Sequence, residues 1–338
     1  AAPRSYVNGG HSDGEASFPV DDFRRHLNTD SSETCNTYNM LKLTRHLFEW
    51  SPSASLMDFY ERGLVNHILA SQDPVTGGVI YYCPLKPGAF RTYSKPDGSF
   101  WCCVGTGMEN HAKYADTIYF HDDTSLYVNL FVASDLSWRE KGLRVRQETR
   151  FPEEEQTSLT FSAPSPVRLA LKVRHPAWAR NGITIDVNGR RVADSHEPGT
   201  FATLERAWRE GDVVTVRLPM SLHVETLPGD AKTVALLYGP VLLAGDLARD
   251  GLSDALHYGP SAPPLRRLPP VEVPALVTSE PAKLLAGVKP VAGRPLRFRT
   301  EGLGHPREVT LLPFYRASDQ RYTVYWRLAS AAEWEKDR

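Results

Sequence analysis

Cysteine, net charge and long apolar runs are all scarce in this chain of 338 residues. Its four cysteines are too few and too unevenly placed for the disulfide framework of a small secreted domain. Lysine and arginine number 39 against 40 acidic residues, which excludes the basic surface typical of proteins that bind nucleic acid or anionic membranes. The most apolar run, 234–245, is interrupted by Gly239-Pro240 and is too short to span a bilayer. We therefore expect neither a nucleic-acid nor a membrane partner.

Two motifs with well-understood chemistry are missing as well. No Cys-x-x-Cys pair occurs, and the adjacent Cys102 and Cys103 would form only a strained disulfide, which argues against a thiol redox protein. The glycine-containing run 9–15 lacks the glycine spacing and the following lysine of a phosphate-binding loop. These absences leave a metal site or a catalytic thiol as the main uses for the cysteines.

The length and composition of the chain are typical of a soluble globular protein with two or three domains. We expect a helical region at 1–122, a β-sandwich at 123–250, and a proline-rich connection with a C-terminal β region at 251–338. The 7 tryptophans and 14 tyrosines are compatible with sugar stacking, although the cores of large β-domains also need such residues. The predicted fold class is α+β with several domains.

Three amphipathic helices are predicted before residue 122, because apolar residues recur there every three or four positions. The expected buried stripes are Met40, Leu43, Leu47 and Trp50 in the first helix, Met57, Tyr60, Leu64 and Ile68 in the second, and Val104, Met108, Ala112, Ala115 and Tyr119 in the third. The third helix would begin at or just after the two adjacent cysteines.

Strands are predicted after residue 123, where apolar and polar residues alternate in short runs such as 126–130, 169–173 and 183–187. Turn signals such as Asn188-Gly189 separate these runs and favour a β-sandwich. Nine prolines between 260 and 295 predict an irregular connection with at most edge strands. A last strand pair is expected near 309–314 and 322–328.

The adjacent Cys102 and Cys103 are the strongest chemical signal in the chain. At a helix N-terminus the helix dipole and the free backbone N–H groups favour a thiolate, which is a better nucleophile and metal ligand than a thiol. Two other interpretations stay open at this point. The pair could be buried as small hydrophobic residues, or it could form a strained vicinal disulfide.

Glu33 and Cys35 offer further metal ligands. Residues two apart in a helix point about 200° away from each other, so these two can share an ion only where the chain is extended or turning. One carboxylate and three thiolates from the starts of two helices would make a closed four-coordinate site suited to zinc. Alternatively, Glu33 caps its helix together with Asp30, and Cys35 and Cys83 are simply buried.

Three motifs follow one another in the first third of the chain: Gly9-Gly10-His11-Ser12-Asp13-Gly14-Glu15, Ser32-Glu33-Thr34-Cys35-Asn36-Thr37-Tyr38-Asn39-Met40 and Trp101-Cys102-Cys103-Val104-Gly105-Thr106-Gly107. In this order they resemble the motifs of the β-L-arabinofuranosidases of glycoside hydrolase families 127 and 146. The resemblance continues through the β-rich region to 319–326. It implies the last helices of an (α/α)6 barrel followed by β-sandwich domains.

The resemblance also implies roles for individual residues. Cys102 is similar to the family's zinc-bound nucleophile, and Glu15 is similar to its general acid/base, which would need a pKa raised by burial. Glu33, Cys35 and Cys103 match the other zinc ligands beside Cys102. Tyr81, which matches the pattern better than Tyr82, and His11 are expected to bind substrate, although a tyrosine there could be a core residue and a loop histidine could simply be solvated. The implied reaction releases β-L-arabinofuranose from plant glycans or glycoproteins with retention.

The chain departs from the family pattern in its number of helices. Only three convincing helices precede the first strands, whereas the resemblance implies a barrel of twelve, so the chain is similar to the C-terminal portion of such an enzyme. We expect it to bind zinc but to hydrolyse arabinofuranosides poorly, and to associate through the exposed faces of its barrel helices. The alternative function is a non-catalytic, zinc-stabilised protein that binds carbohydrate. Glu15 distinguishes the two, because a structural zinc site does not require it.

Overall fold

The computed structural model describes residues 5–19, 22–260, 268–278 and 280–336. Strands outnumber helices in these residues, which confirms the predicted α+β class. The α-helices are α1 Thr34–Trp50, α2 Ala54–Gly63, α3 Cys102–Ala112 and α4 Ala331–Lys336. None of the described helices combines the length and the apolar character needed to cross a membrane.

Twenty strands form three sheets in the described residues. They are β1 Tyr119–His121, β2 Ser125–Val128, β3 Ser134–Trp138, β4 Leu143–Thr149, β5 Gln156–Ser162, β6 Val167–His175, β7 Ile183–Val187, β8 Arg190–Ser195, β9 Thr200–Trp208, β10 Val213–Arg217, β11 Leu222–Leu227, β12 Asp230–Tyr238, β13 Val241–Asp246, β14 Ala275–Val277, β15 Val288–Pro290, β16 Phe298–Thr300, β17 Gly304–His305, β18 Thr310–Pro313, β19 Tyr322–Thr323 and β20 Tyr325–Ala329.

The chain divides into two compact units. Unit 1 comprises Ala1–Lys42, Arg62–His111 and Leu222–Arg338, and unit 2 comprises Leu43–Glu61 and Ala112–Ser221. The domain limits expected at 122/123 and 250/251 stay a prediction.

Unit 2 contains a β-sandwich of two sheets, with strand orders β1-β2-β6-β9 and β3-β4-β5-β10-β7-β8. Every second residue of β6 and β5 faces the shared core, for example Leu171 from the first sheet and Phe161 from the second. The Phe161 ring stacks on Trp208 with ring centroids 4.3 Å apart. The alternation of apolar and polar residues therefore predicted the sandwich correctly, because each sheet buries one face.

Unit 1 contains a larger sheet with the order β15-β16-β18-β13-β12-β20-β14-β17, with β11 paired to β12 and β19 paired to β13. Both faces of its centre are buried: Leu236 packs into one core, and its neighbour Leu237 packs into the other. This explains why the run 234–245 is almost continuously apolar. The second core contains Tyr6 and Ile80, so the segments that carry the site described below rest on this sheet.

Two expectations for the C-terminal region are wrong. β14, inside the proline-rich segment, is an interior strand rather than an edge strand. The strands near 309–314 and 322–328 do not pair with each other: β18 pairs with β13, and β20 pairs with β12. Local patterns located these strands but could not identify their partners, because strand pairing depends on residues far away in the chain.

The predicted buried stripes are correct for one helix and wrong for two. The second stripe, Met57, Tyr60, Leu64 and Ile68, is buried, although α2 ends at Gly63 and continues as a π-helical turn, Leu64–Ile68. In α1 the buried residues include Leu41, Thr44 and Phe48, whereas Leu43, Leu47 and Trp50 are exposed. In α3 Cys103, Gly107 and Asn110 are buried, and Met108 is 73% exposed. α3 therefore turns small and polar residues toward the described core, whereas α1 buries a face displaced by one position from the predicted stripe.

Candidate active site and metal centre

The loop that leads to Glu15 packs so closely on its neighbours that glycine is required at two positions. A Cβ at Gly10 would lie 2.4 Å from Ser32 Oγ, and Gly9 has a φ of +92° with its missing Cβ 2.8 Å from the backbone of Gly63. The Ser32 N–H donates to the Ser12 carbonyl over 2.9 Å. The first and second motifs are therefore held side by side.

Glu33 and Cys35 converge because the chain turns sharply just before α1. Ser32 has a left-handed φ of 56°, and Glu33 forms an isolated bridge with Tyr82. The Glu33 N–H donates to Ser12 Oγ over 2.7 Å, and only at Thr34 does the helix begin. Glu33 thus precedes the helix while Cys35 lies inside it, which removes the 200° separation that a continuous helix would impose.

Cys102 and Cys103 are the first two residues of α3. The helix approaches the chain at Val79 closely, since a Cβ at Gly107 would lie 2.8 Å from Val79 Cγ1. This approach sets the start of α3 beside the segment that carries Tyr81 and Tyr82. By contrast, nothing lies within 4 Å of a Cβ placed on Gly105.

Four potential ligand atoms from Glu33, Cys35, Cys102 and Cys103 all lie within 4.8 Å of one another. Cys103 Sγ is 3.1 Å from Cys35 Sγ, 3.8 Å from Cys102 Sγ and 3.8 Å from Glu33 Oε1. Cys102 Sγ is 3.9 Å from Glu33 Oε1. All of these cysteines are free, so the interpretation of Cys102 and Cys103 as a vicinal disulfide is wrong.

The cluster could hold a metal ion. Four ligand atoms held tetrahedrally about 2.3 Å from one ion stand about 3.8 Å apart, which is close to most of the separations in this cluster. Three members are buried, and Cys102 is the exposed one. Cys83 is fully buried outside the cluster, where burial raises the pKa of its thiol to about 11.

The acidic groups of the cluster perturb one another when no ion is bound. Burial, and then the negative charge of Cys35, raise the pKa of Glu33 to about 7. The Cys103 thiol hydrogen-bonds to Cys35, which lowers the pKa of Cys35 and raises that of Cys103. Burial of its sulfur raises the pKa of Cys102. A bound cation would instead lower the pKa values of the thiols, because coordinated thiols lose their protons.

Tyr81 connects Glu15 to Cys102. Its hydroxyl donates to the Glu15 carboxylate and lies 3.3 Å from Cys102 Sγ. These two contacts, that with Cys102 first, raise the pKa of the Tyr81 phenol well above its usual value. The residues that resemblance named as nucleophile and acid/base are therefore joined through one hydroxyl group.

Glu15 lies at the tip of a tight turn and is exposed. Asp13 and Ala16 exchange both backbone hydrogen bonds, at 3.0 and 3.1 Å, so that only Gly14 and Glu15 lie between them. Gly14 has a φ of +56°, as such a turn requires. The described residues therefore leave the Glu15 side chain exposed.

Asp13 and Phe18, on either side of this turn, both contact the ring of His26. The Asp13 carboxylate is 2.6 Å from His26 Nδ1 and accepts a second hydrogen bond from the Asn28 amide over 2.6 Å. Phe18 stacks on the imidazole with centroids 4.3 Å apart and planes 16° apart. These contacts define a clamp, formed by Asp13, Phe18, His26 and Asn28, that holds the turn carrying Glu15.

His11 and Thr106 show the limits of motif reasoning. His11 is half-buried with a pKa lowered by burial, and its described contacts include no hydrogen bond to the cluster. Thr106 was missed, yet its Oγ1 lies 3.0 Å from Cys35 Sγ. Its spacing of three residues after Cys103, on the same side of a helix, is the signal that could have found it.

Two family models match the parts of the chain just described. One, the β-L-arabinofuranosidase GH127 catalytic domain, matches residues 1–116, and the other, the GH127 middle domain, matches residues 125–220. Together they cover more than half of the chain. The chain belongs to glycoside hydrolase family 127. A third model, a domain of unknown function, matches residues 223–328 of this family-127 chain.

Known proteins resemble the family-127 chain over much of its length. The non-reducing end β-L-arabinofuranosidase of Bifidobacterium longum subsp. longum is 25% identical over 250 residues, which are 67% of this chain and 37% of that protein. A solved family-127 β-L-arabinofuranosidase from Geobacillus stearothermophilus is 19% identical with a TM-score of 0.69, and the match covers 96% of this chain and 54% of that one. A solved glycoside hydrolase is 18% identical with a TM-score of 0.69, covering 96% of this chain and 60% of that one.

The structural matches show that the fold is shared. The family-127 chain spans 37% of the length of the curated relative and 54% to 60% of these solved structures. The resemblance inferred from the three motifs is thus confirmed at the level of the family.

Proposed function

We propose that this chain is the catalytic part of a retaining β-L-arabinofuranosidase, with Cys102 as nucleophile and Glu15 as general acid/base. The observation that carries the proposal is that one hydroxyl, that of Tyr81, contacts both the Cys102 sulfur and the Glu15 carboxylate. The proposed substrate class is plant glycans or glycoproteins that carry a β-L-arabinofuranosyl group.

The donor set supports Zn²⁺ as the bound metal. Glu33, Cys35, Cys102 and Cys103 would hold it, because three thiolates and one carboxylate suit a borderline-soft ion in a four-coordinate site. When bound, zinc keeps the thiols deprotonated at neutral pH. The position of Cys102 at the first residue of α3 adds the favourable end of the helix dipole.

In the first step, Cys102 sulfur bonds to the anomeric carbon while the glycosidic C–O bond breaks and Glu15 gives its proton to the leaving oxygen. In the second, Glu15 takes a proton from water, the water oxygen bonds to the same carbon, and the C–S bond breaks to restore Cys102. Two displacements at one carbon give net retention, as in the scheme with two carboxylates. Tyr81 and His11 would hydrogen-bond the sugar beside these groups.

Activity of the isolated chain is a separate matter. Leu43, Leu47 and Trp50 expose apolar surface along α1, and Trp50 is 76% exposed. We propose that this face associates with another chain and that the isolated chain turns over an aryl β-L-arabinofuranoside poorly. Measurable turnover that is lost in Cys102→Ala and Glu15→Gln would contradict the proposed low activity of the isolated chain while supporting the catalytic roles of these two residues.

Metal content tests the ligands directly. Elemental analysis of the purified protein should find about one zinc per chain, as a single closed site requires, and Glu33→Ala and Cys35→Ser should reduce it. Cys83→Ser is the matched control, because Cys83 is buried outside the cluster. The ligand assignment is wrong if the wild type holds no metal or if Cys35→Ser and Cys83→Ser behave alike.

Covalent labelling tests the nucleophile without requiring turnover. A bromoacetamide derivative of L-arabinofuranose should alkylate Cys102, and excess free arabinose should protect it. Labelling at another residue would refute the assignment. Zinc binding together with sugar binding, but without sugar-directed labelling and without any effect of Glu15→Gln, would instead support a non-catalytic carbohydrate-binding protein.

A further inference from the structure

We propose that Thr106 is a positioning residue for the metal centre, whose hydroxyl donates a hydrogen bond to the Cys35 sulfur and fixes Cys35 as a ligand. The inference rests on the metal site proposed above. Thr106 belongs to α3, and its Oγ1 lies 3.0 Å from Cys35 Sγ on α1. The bond therefore joins the two helices that supply the thiolates.

The direction of this hydrogen bond follows from the chemistry of a ligand. A metal-bound thiolate carries no proton and can only accept, so the Thr106 hydroxyl must be the donor. A threonine inside a helix often donates to the carbonyl four residues earlier, which here belongs to Cys102. That oxygen lies 3.5 Å away, at the outer limit for a hydrogen bond, whereas the larger sulfur atom of Cys35 is nearer.

The contact distinguishes the thiolates from one another. Three thiolates and one carboxylate place four negative charges around one ion, and a hydroxyl donor offsets part of the charge on Cys35. Cys35 is buried and is held from the side of Thr106, whereas Cys102 is exposed and faces the Tyr81 hydroxyl. The structure thus assigns Cys35 to permanent ligation and leaves Cys102 accessible to substrate.

The test compares Thr106→Val with Thr106→Ser. Valine keeps the β-branched shape and removes the hydroxyl, whereas serine restores the hydroxyl without the methyl group. Thr215→Val, on β10 of unit 2, is the matched control. Zinc affinity is measured by competition with a chromophoric chelator, and the thiolate-to-metal charge-transfer absorption is recorded after substitution with Co²⁺.

We expect Thr106→Val to weaken zinc binding by about 10- to 100-fold, the usual effect of losing a hydrogen bond to a metal ligand. Its cobalt charge-transfer band should move to lower energy, because a thiolate without a hydrogen-bond donor gives electron density more readily. Thr106→Ser and Thr215→Val should match the wild type in both measurements.

Two results would overturn the proposal while leaving the metal site intact. One is a Thr106→Val protein with the wild-type zinc affinity and cobalt spectrum. The other is a Thr106→Ser protein that binds zinc as weakly as Thr106→Val, since the shape of the side chain would then matter rather than its hydroxyl. A wild-type protein that binds neither zinc nor cobalt would overturn the metal site itself. If far-UV circular dichroism shows that Thr106→Val does not fold, Thr106→Ala is measured in its place and judged by the same criteria.

Discussion

The hydroxyl oxygen of Tyr81 lies 3.3 Å from the sulfur of Cys102. The two residues are 21 positions apart, and the contact forms because α3 packs against the chain at Val79. The hydroxyl that donates to Glu15 thereby stands beside the sulfur proposed as nucleophile.

Tyr81→Phe should make Cys102 of the metal-free protein less reactive toward iodoacetamide at neutral pH. Burial raises the Cys102 pKa, and the contact with Tyr81 lowers it, because the Tyr81 hydroxyl can turn from Glu15 and donate to a Cys102 thiolate. Without the hydroxyl that pKa rises further, so the midpoint of alkylation rate against pH should move upward. Cys102 is the exposed cysteine, and mass spectrometry identifies the labelled site. Tyr82→Phe is the control, and an unchanged midpoint in Tyr81→Phe would contradict the expectation.

Alanine substitution at two glycines of α3 should have opposite effects on the free energy of unfolding. At Gly107 the new Cβ would lie 2.8 Å from Val79 Cγ1 and 3.1 Å from its Cβ, so overpacking should cost about 1–3 kcal/mol and exceed the gain in helix propensity. At Gly105 nothing lies within 4 Å, so alanine should raise the free energy of unfolding by up to about 1 kcal/mol. Urea unfolding of the metal-free proteins measures both effects, and equal shifts would show that the approach to Val79 is not tight.

The clamp around His26 should control the mobility of the turn that carries Glu15. His26→Phe keeps a ring for Phe18 but removes the nitrogen that contacts Asp13, a loss of about 1 kcal/mol. The amides of Gly14 and Ala16, which bond to Asp30 and Asp13 carbonyls, should therefore exchange with solvent roughly five- to tenfold faster.

Hydrogen exchange followed by mass spectrometry or NMR checks this expectation. His46→Phe, at an exposed position on α1, is the control. Unchanged protection of both turn amides would show that Asp13 holds the turn without His26.

The buried His67 should make the protein less stable in acid. Burial, and then the positive charge of Arg91, lower its folded-state pKa to about 3, from about 6.5 in the unfolded chain. Between these values the unfolded chain binds more protons, so the contribution of His67 is complete above pH 6.5 and is lost as pH falls toward 3. The slope should reach about 1.4 kcal/mol per pH unit.

His67→Gln should therefore flatten the dependence of the unfolding free energy on pH between about 6.5 and 4. His46→Gln, at an exposed site on α1, is the control for removing a histidine. A His67→Gln protein with the wild-type slope would show that other groups, such as His111 with its pKa lowered to about 4 by burial, dominate the acid response.

Local patterns predicted a large part of this molecule. The sandwich of unit 2 follows from alternating strands such as β6, because each of its sheets buries one face. The site residues were named from three short motifs and a family resemblance, and the structure brings Glu15, Glu33, Cys35, Cys102 and Cys103 into one region with Tyr81 between them. Their catalytic roles stay predictions.

The sequence-based predictions that failed share a cause, which is that each depended on contacts between segments far apart in the chain. The spacing of Leu43, Leu47 and Trp50 is helical, but spacing cannot say which face of α1 meets another part of the protein. The same holds for Met108 on α3 and for the partners of β18 and β20. Thr106 and the clamp at His26 were missed because both depend on contacts between separate segments.

The sequence by itself determined the fold class, the family and the identity of the groups able to do chemistry, because these depend on residue types and short-range periodicity. Only the tertiary structure decided how those groups meet: that Ser32 turns the chain so that Glu33 and Cys35 converge, and that Glu15 is exposed. Hydrogen bonding and metal coordination act over about 2–4 Å between atoms that are far apart in the chain. Such distances are set by the packing of the folded chain rather than by the order of residues in the sequence.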